Sequence, residues 1–371
     1  MNDTPFSFSS HRLSRRAAVR AGGLGVAGSL AFPGPGPSFA QEATPEAIPA
    51  QTDLVQDGLS AEIIEIFSAL PGTNGLRLWA PPDAGRPAWS ATLNADRQVF
   101  IASAFKTFVL AEYLRQAEET LDSTASTSIT NQLNAQLAEQ LTLDESVFSP
   151  GATVFNPPHL TGLVTTRTVL EAMISHSDNT AADMALRRVG PERVRQLIAS
   201  LGLTQTRIPD STRQFIGYIF GVPDWRAFTW AQFEALPAND PYPPRPILNP
   251  DITMASSADD LVAFYTRALR GEIFRYPETL AVYLAILSLA DAIALVMPLG
   301  VNAFLKGGSL QTETNNALTV AGGMYVPDRW VYFATLLNWT AAEAPPLSEF
   351  QAGIADSLNR IFTLVRDRLG T

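Results

Sequence analysis

The 371-residue sequence has no cysteine, three histidines and, among its 26 basic residues, only two lysines. The missing thiols exclude disulfide frameworks, cysteine nucleophiles, thiolate zinc sites, iron–sulfur clusters and lipid attachment through cysteine. His11, His159 and His176 are the sole imidazoles, and no two of them stand at metal-ligand spacing. A zinc hydrolase or a Ser-His-Asp triad would have to be built from one of those three. Positive charge is also scarce: the formal net charge is −10, which argues against binding the phosphates of nucleic acid. No repeat period is present, so collagen and coiled-coil readings fail, and 46% hydrophobic content is too high for a disordered chain.

The scarcity of lysine is itself informative. Lys106 and Lys306 stand against 24 arginines. Where a plain positive charge suffices, this sequence uses arginine, which cannot lose its proton. Lysine can, and its ammonium is a compact point charge. The two positions therefore read either as places where arginine cannot substitute or as leftover surface residues, and their neighbours must decide.

Residues 1–40 read as an export signal. A basic stretch (Arg12, Arg15, Arg16, Arg20) precedes a Gly/Ala-rich apolar segment, and a small-residue stretch ends at Ala40. Ser14-Arg15-Arg16 resembles the twin-arginine pattern, with Ala18 and Val19 where a bulky pair is usual. The other reading is a disordered basic tail. The apolar segment is too short to span a bilayer, so the mature chain is expected to lack a membrane span and to be periplasmic or extracellular. Residues 41–56 form a polar linker, and 57–371 form one folded domain, expected to be monomeric, with a helical lobe over roughly 107–299.

Periodicity places helices over 60–70, 107–117, 168–174, 179–188, 191–201 and 257–269, and strands over 76–80, 99–101, 301–305, 317–325 and 330–337. Phe350, Ile354, Leu358, Ile361 and Val365 form one apolar stripe of a closing helix. The apolar run 280–299, interrupted by Asp291 and Pro298, reads as buried helix. The fold class is therefore α+β: an antiparallel sheet formed by both chain ends and flanked by helices, plus an all-helical lobe, with a cleft between them.

Three constellations carry chemistry. In Ser103-Ala104-Phe105-Lys106, one helical turn brings a hydroxyl and an amine to one face at a helix N-terminus, where unpaired N–H groups favour an oxyanion. That suits a nucleophile beside a base whose pKa is lowered by burial and a second cation; an N-capping serine with a snorkelling lysine is the plainer alternative. Ser177-Asp178-Asn179 opens a helix and would serve equally well as a cap. His176 beside it reads as a shuttle or as an ordinary packed or solvated histidine. Lys306-Gly307-Gly308-Ser309 ends a strand segment, where two glycines allow close approach of another backbone or simply make a turn. Both lysines of the chain fall within these motifs.

In this order the three segments resemble the Ser-x-x-Lys, Ser-Asp-Asn and Lys-Thr-Gly motifs of class A β-lactamases and penicillin-binding proteins. The flanking text agrees, from DRQVFIASAFK to the closing TVAGGMYVPDRWVYFATLLNW, over roughly Ala61 to Leu369. The resemblance implies a β-lactamase/DD-peptidase-like fold and a serine hydrolase working through an acyl-enzyme without metal or cofactor. It makes Ser103 the nucleophile, Lys106 its proton acceptor and Ser177 the relay to the leaving nitrogen. Asn179 would bind the substrate amide and hold Lys106, and Lys306 would bind the substrate carboxylate and polarise Ser177. The N–H groups of Ser103 and Ser309, with Gly308 beside them, would form the oxyanion hole. The substrate would be a β-lactam, whose ring is hydrolysed, or a peptidoglycan stem peptide. A non-catalytic protein that binds cell-wall fragments is the remaining alternative.

The sequence departs from that pattern twice. Gly307 replaces the threonine of the third motif. The deacylating glutamate expected after the second motif has no clean copy; the candidates are Asp210, Asp224 and Glu234, with Asn239 following, and Glu234 is chosen. Without such a base an acyl-enzyme would persist.

Overall fold

The computed structural model describes residues 57–370, apart from 84 and 238–241. The expected export signal and linker, and Asn239, lie outside the described residues. Helix α1 (Gly58–Ser68) starts at Asp57, whose carboxylate accepts the Ser60 N–H at 2.8 Å. Strands β1 (Thr73–Ala80) and β2 (Trp89–Leu93) form a hairpin, and β3 (Val99–Phe100) leads into a 3₁₀ turn (Ala102–Phe105) and helix α2 (Lys106–Glu118). Next come α3 (Ile129–Leu137), the hairpin β4 (Gln140–Leu143) and β5 (Gly162–Thr165), α4 (Thr166–Ser175), α5 (Asn179–Val189) and α6 (Pro191–Ser200). Helices α7 (Thr212–Ile219) and α8 (Trp230–Glu234) precede β6 (Ala255–Ser256), which pairs with β3, and then α9 (Ala258–Leu269). The chain closes with α10 (Pro277–Leu287), α11 (Ala292–Val296), β7 (Asn302–Gln311), β8 (Asn315–Val326), β9 (Arg329–Thr340) and α12 (Leu347–Leu369).

The main sheet is antiparallel with order β2-β1-β9-β8-β7, so strands from both ends of the chain share it, as the alternating segments predict. Successive side chains of a strand point to opposite faces. On β9, Tyr332 shares its face with Gly323 of β8, against which Leu269 of α9 packs, while Phe333 faces α12 and meets Phe362 at 4.6 Å between ring centroids. The sheet is thus covered by α9 on one side and by α1 and α12 on the other. Its edge strands are β2 and β7.

Two sequence expectations are corrected. Strand β7 does not stop near residue 305; it runs straight through Lys306-Gly307-Gly308-Ser309, paired residue for residue with β8 as far as Gln311. The run 280–299 is not one buried helix. It breaks into α10 and α11 around Asp291, and Leu289, Leu295 and Leu299 are exposed. Among the described residues no helix is long and apolar enough to cross a membrane.

Candidate active site

Helix α2 is buried along nearly its whole length, through Phe108, Val109, Leu110 and Leu114, so its N-terminus lies inside the molecule. The preceding 3₁₀ turn, entered with Ala102 at φ +46°, presents Ser103 half-buried at that terminus. Lys106, the first residue of α2, is fully buried.

The second motif is a tight turn between α4 and α5. Ser177 sits at φ +57°, a conformation that residues other than Gly rarely adopt and that surrounding bonds must hold. Asp178 supplies those bonds: its carboxylate accepts the N–H groups of Ala181 at 2.8 Å, Val154 at 2.9 Å and Phe155 at 3.0 Å. Asn179 is fixed at both ends, its Nδ2 donating to Pro150 O and its Oδ1 accepting from Lys106 Nζ, each at 2.7 Å.

The two lysines converge on this turn. Lys106 Nζ donates to Ser177 O at 2.5 Å and approaches Ser177 Oγ at 3.4 Å; Lys306 Nζ reaches Ser177 Oγ at 3.1 Å and Gly307 O at 2.7 Å. Burial, then the positive charge of Lys306, hold the Lys106 ammonium well below the usual lysine range, against the opposing pull of Asp178, Asp183 and Asp291. Burial pushes Lys306 down to about 8, with Asp291 resisting. An amine that sheds its proton readily therefore lies one helical turn from Ser103. The Lys106 hydrogen bonds all go to the 177–179 turn, so its approach to the Ser103 hydroxyl requires an exchange of partners.

Strand β7 lies against the 3₁₀ turn so closely that a Cβ on Gly308 would stand 2.5 Å from Ile101 O and 2.8 Å from Ser103 N. Only glycine permits that approach. Ser103, Ser177, Asn179, Lys306, Gly308 and Ser309 all line one cavity of about 170 Å³. Glu234 does not join them: it is exposed at the end of α8 and is not among the lining residues. Asp210 and Asp224 do not line the cavity either, and His176 is exposed, bonded through Nδ1 to Ser175 Oγ at 2.8 Å.

Sequence reasoning missed two contributors. Helix α7 places Thr212, Phe215 and Ile216 in the cavity wall, and Asp183 anchors it: Thr212 N at 2.6 Å, Ser211 Oγ at 2.7 Å and Arg213 N at 3.1 Å all donate to that buried carboxylate. Desolvation raises Asp183 above the ordinary carboxylate range, the hydrogen bonds opposing. The other contributor is Asp291, the only carboxylate among the described lining residues. Its signal was the charge that breaks the apolar run. Among the described residues no group of three or more His, Asp or Glu could hold a metal ion.

A family model described as the beta-lactamase enzyme family matches residues 58–323. Similar solved structures include a beta-lactamase from Sphaerobacter thermophilus (19% identity, TM-score 0.60, 84% of this chain and 97% of that one). PBP-A (20%, 0.58, 84% and 95%) and the TLA-3 extended-spectrum beta-lactamase (15%, 0.63, 84% and 98%) are also similar. At such identities the likeness is one of fold. No relative is found among curated proteins. Matched by the family model over more than half its length, with the three motifs gathered in one cavity, the chain belongs to the beta-lactamase enzyme family.

Proposed function

We propose that this protein is an exported serine hydrolase that forms an acyl-enzyme on Ser103, with β-lactam ring hydrolysis as its leading activity and residues 1–40 as its export leader. The observation that carries the reading is the convergence of the chain's only two lysines on Ser177, with Lys106 pushed toward its neutral form. In the acylation step, Lys106 Nζ takes the Ser103 hydroxyl proton as Oγ bonds to the amide carbonyl carbon. The N–H groups of Ser103 and Ser309 hold the resulting oxyanion. The C–N bond then breaks, the leaving nitrogen takes the Ser177 hydroxyl proton, and Lys106 returns its proton to Ser177. The ammonium of Lys306 polarises Ser177 for that transfer.

A second reading, a penicillin-binding protein or D-amino-acid peptidase acting on stem peptides, is favoured by one feature. Helix α7 brings the apolar Phe215 and Ile216 to the cavity wall, and no glutamate lies among the described lining residues to activate a deacylating water. The two readings separate on incubation with penicillin G, followed by intact mass and ring opening over time. Rapid ring opening without a lasting adduct, abolished in Ser103→Ala, means turnover. A lasting adduct on Ser103 means the second reading. Absence of both, with penicillin G methyl ester also unreacted and stem peptides uncleaved, contradicts the enzyme reading.

A further inference from the structure

The departure at residue 307 has a structural counterpart. A side chain there would point at α11: its Cβ would come to 2.9 Å from the Cβ of Ala292. The place where a hydroxyl could meet a substrate carboxylate is therefore already filled by the first residue of α11, and the glycine and the alanine fit each other. Asp291, immediately before Ala292, lines the same cavity.

The charges around that spot do not favour a second anion. A carboxylate is best held by a bidentate arginine or by several converging donors. Among the described lining residues there is no arginine, and Lys306 is the only cation. Its ammonium already donates to Gly307 O and Ser177 Oγ, and the Asp291 carboxylate opposes its charge. A substrate carboxylate entering beside Lys306 would be desolvated, would face Asp291 and would share one partly committed ammonium. The wall beyond is apolar, with Ala292, Leu295 and Val296 of α11.

We infer that this cleft selects substrates whose carboxyl next to the scissile amide is masked or absent, namely neutral cyclic amides, esters or internal amides, with an apolar flank laid against α11. The inference rests on the acyl-enzyme reading above and narrows its substrate class. Lys306 then serves as a proton-relay electrostatic group, and the family's usual carboxylate grip is replaced by contact with α11.

The test compares penicillin G with its methyl ester as acylating agents of the full-length protein, the second-order rate of adduct formation on Ser103 being read by intact mass. The ester is expected to react at least as fast as the free acid. A free acid that reacts faster overturns the inference and leaves the acyl-enzyme reading standing. Absence of both an adduct and ring opening with each compound overturns the acyl-enzyme reading, and this inference with it. A second measurement uses the paired exchange Ala292→Gly with Gly307→Ser, which restores a hydroxyl in the space vacated. The acid-to-ester rate ratio is expected to rise tenfold or more in the exchanged protein, and an unchanged ratio contradicts the role given to α11.

Discussion

Lys306 is a charged group in a place that does not favour charge, and pH should expose this directly. Its ammonium titrates at about 8, and its positive charge helps to hold Lys106 low. The rate of Ser103 acylation by a neutral ester should therefore fall as pH rises through about 8, because the cation proposed to polarise Ser177 is lost. Lys306→Arg, whose guanidinium keeps its proton, should move that alkaline limb upward by more than one pH unit, although its fork fits the site less well and lowers the plateau. Stability runs the other way. Between pH 8 and the lysine reference of 10.5 the unfolded chain binds more protons than the folded one, so stability rises with pH across that window. Lys306→Met should therefore be more stable than the parent at pH 7 by about 3 kcal/mol, the gain shrinking toward pH 10.5, as denaturant melts at several pH values would show. Such a gain would mark Lys306 as a residue kept for chemistry at a cost in stability. Lys106→Met should cut acylation of Ser103 by about 10³-fold through loss of the proton acceptor, read by stopped-flow or intact mass.

At the scale of elements, the site depends on how β7 and α7 are seated. Gly308→Ala would put a methyl group against Ile101 O and Ser103 N, forcing the edge strand off the 3₁₀ turn that carries Ser103, the proposed nucleophile. Acylation should fall by about 10²-fold or more while far-UV circular dichroism stays unchanged, since the loss is one of oxyanion geometry. Asp183→Ala would leave the N–H groups of Thr212 and Arg213 without their acceptor at the start of α7, costing about 2 kcal/mol or more in a denaturant melt. These elements also mark where the sequence was readable. Long helices with a regular apolar face, such as 258–269, and the alternating strands near the C-terminus were legible because local periodicity and burial agree. Helix α7 was not, because its eight residues lie in a proline-rich, aromatic stretch with too few turns to show a period. The course of β7 was misjudged because two glycines in a row read locally as a turn, whereas pairing with β8 over the whole segment overrides that preference. Glu234 was chosen by spacing alone, and its own capped single turn, α8, leaves it exposed and outside the cavity wall.

At the scale of the whole molecule, the first and last strands share one sheet, so the cleft closes only when both ends of the chain are in place. That long-range closure brings together residues 103, 177 and 306, a convergence no local pattern could supply. What implied it was the resemblance of the three motifs, with composition pointing the same way: a chain that uses arginine elsewhere retains lysine at two positions, and both side-chain nitrogens meet at one serine. The same scarcity makes the central claim open to direct measurement. Protein grown with ¹³C-labelled lysine should give only two Cε signals, assignable through Lys306→Met, and their titration reports each amine separately. One signal should titrate near 8 for Lys306 and a second, for Lys106, far below the ordinary lysine range of 10.5; two signals that both titrate near 10.5 would overturn the convergence of the two amines.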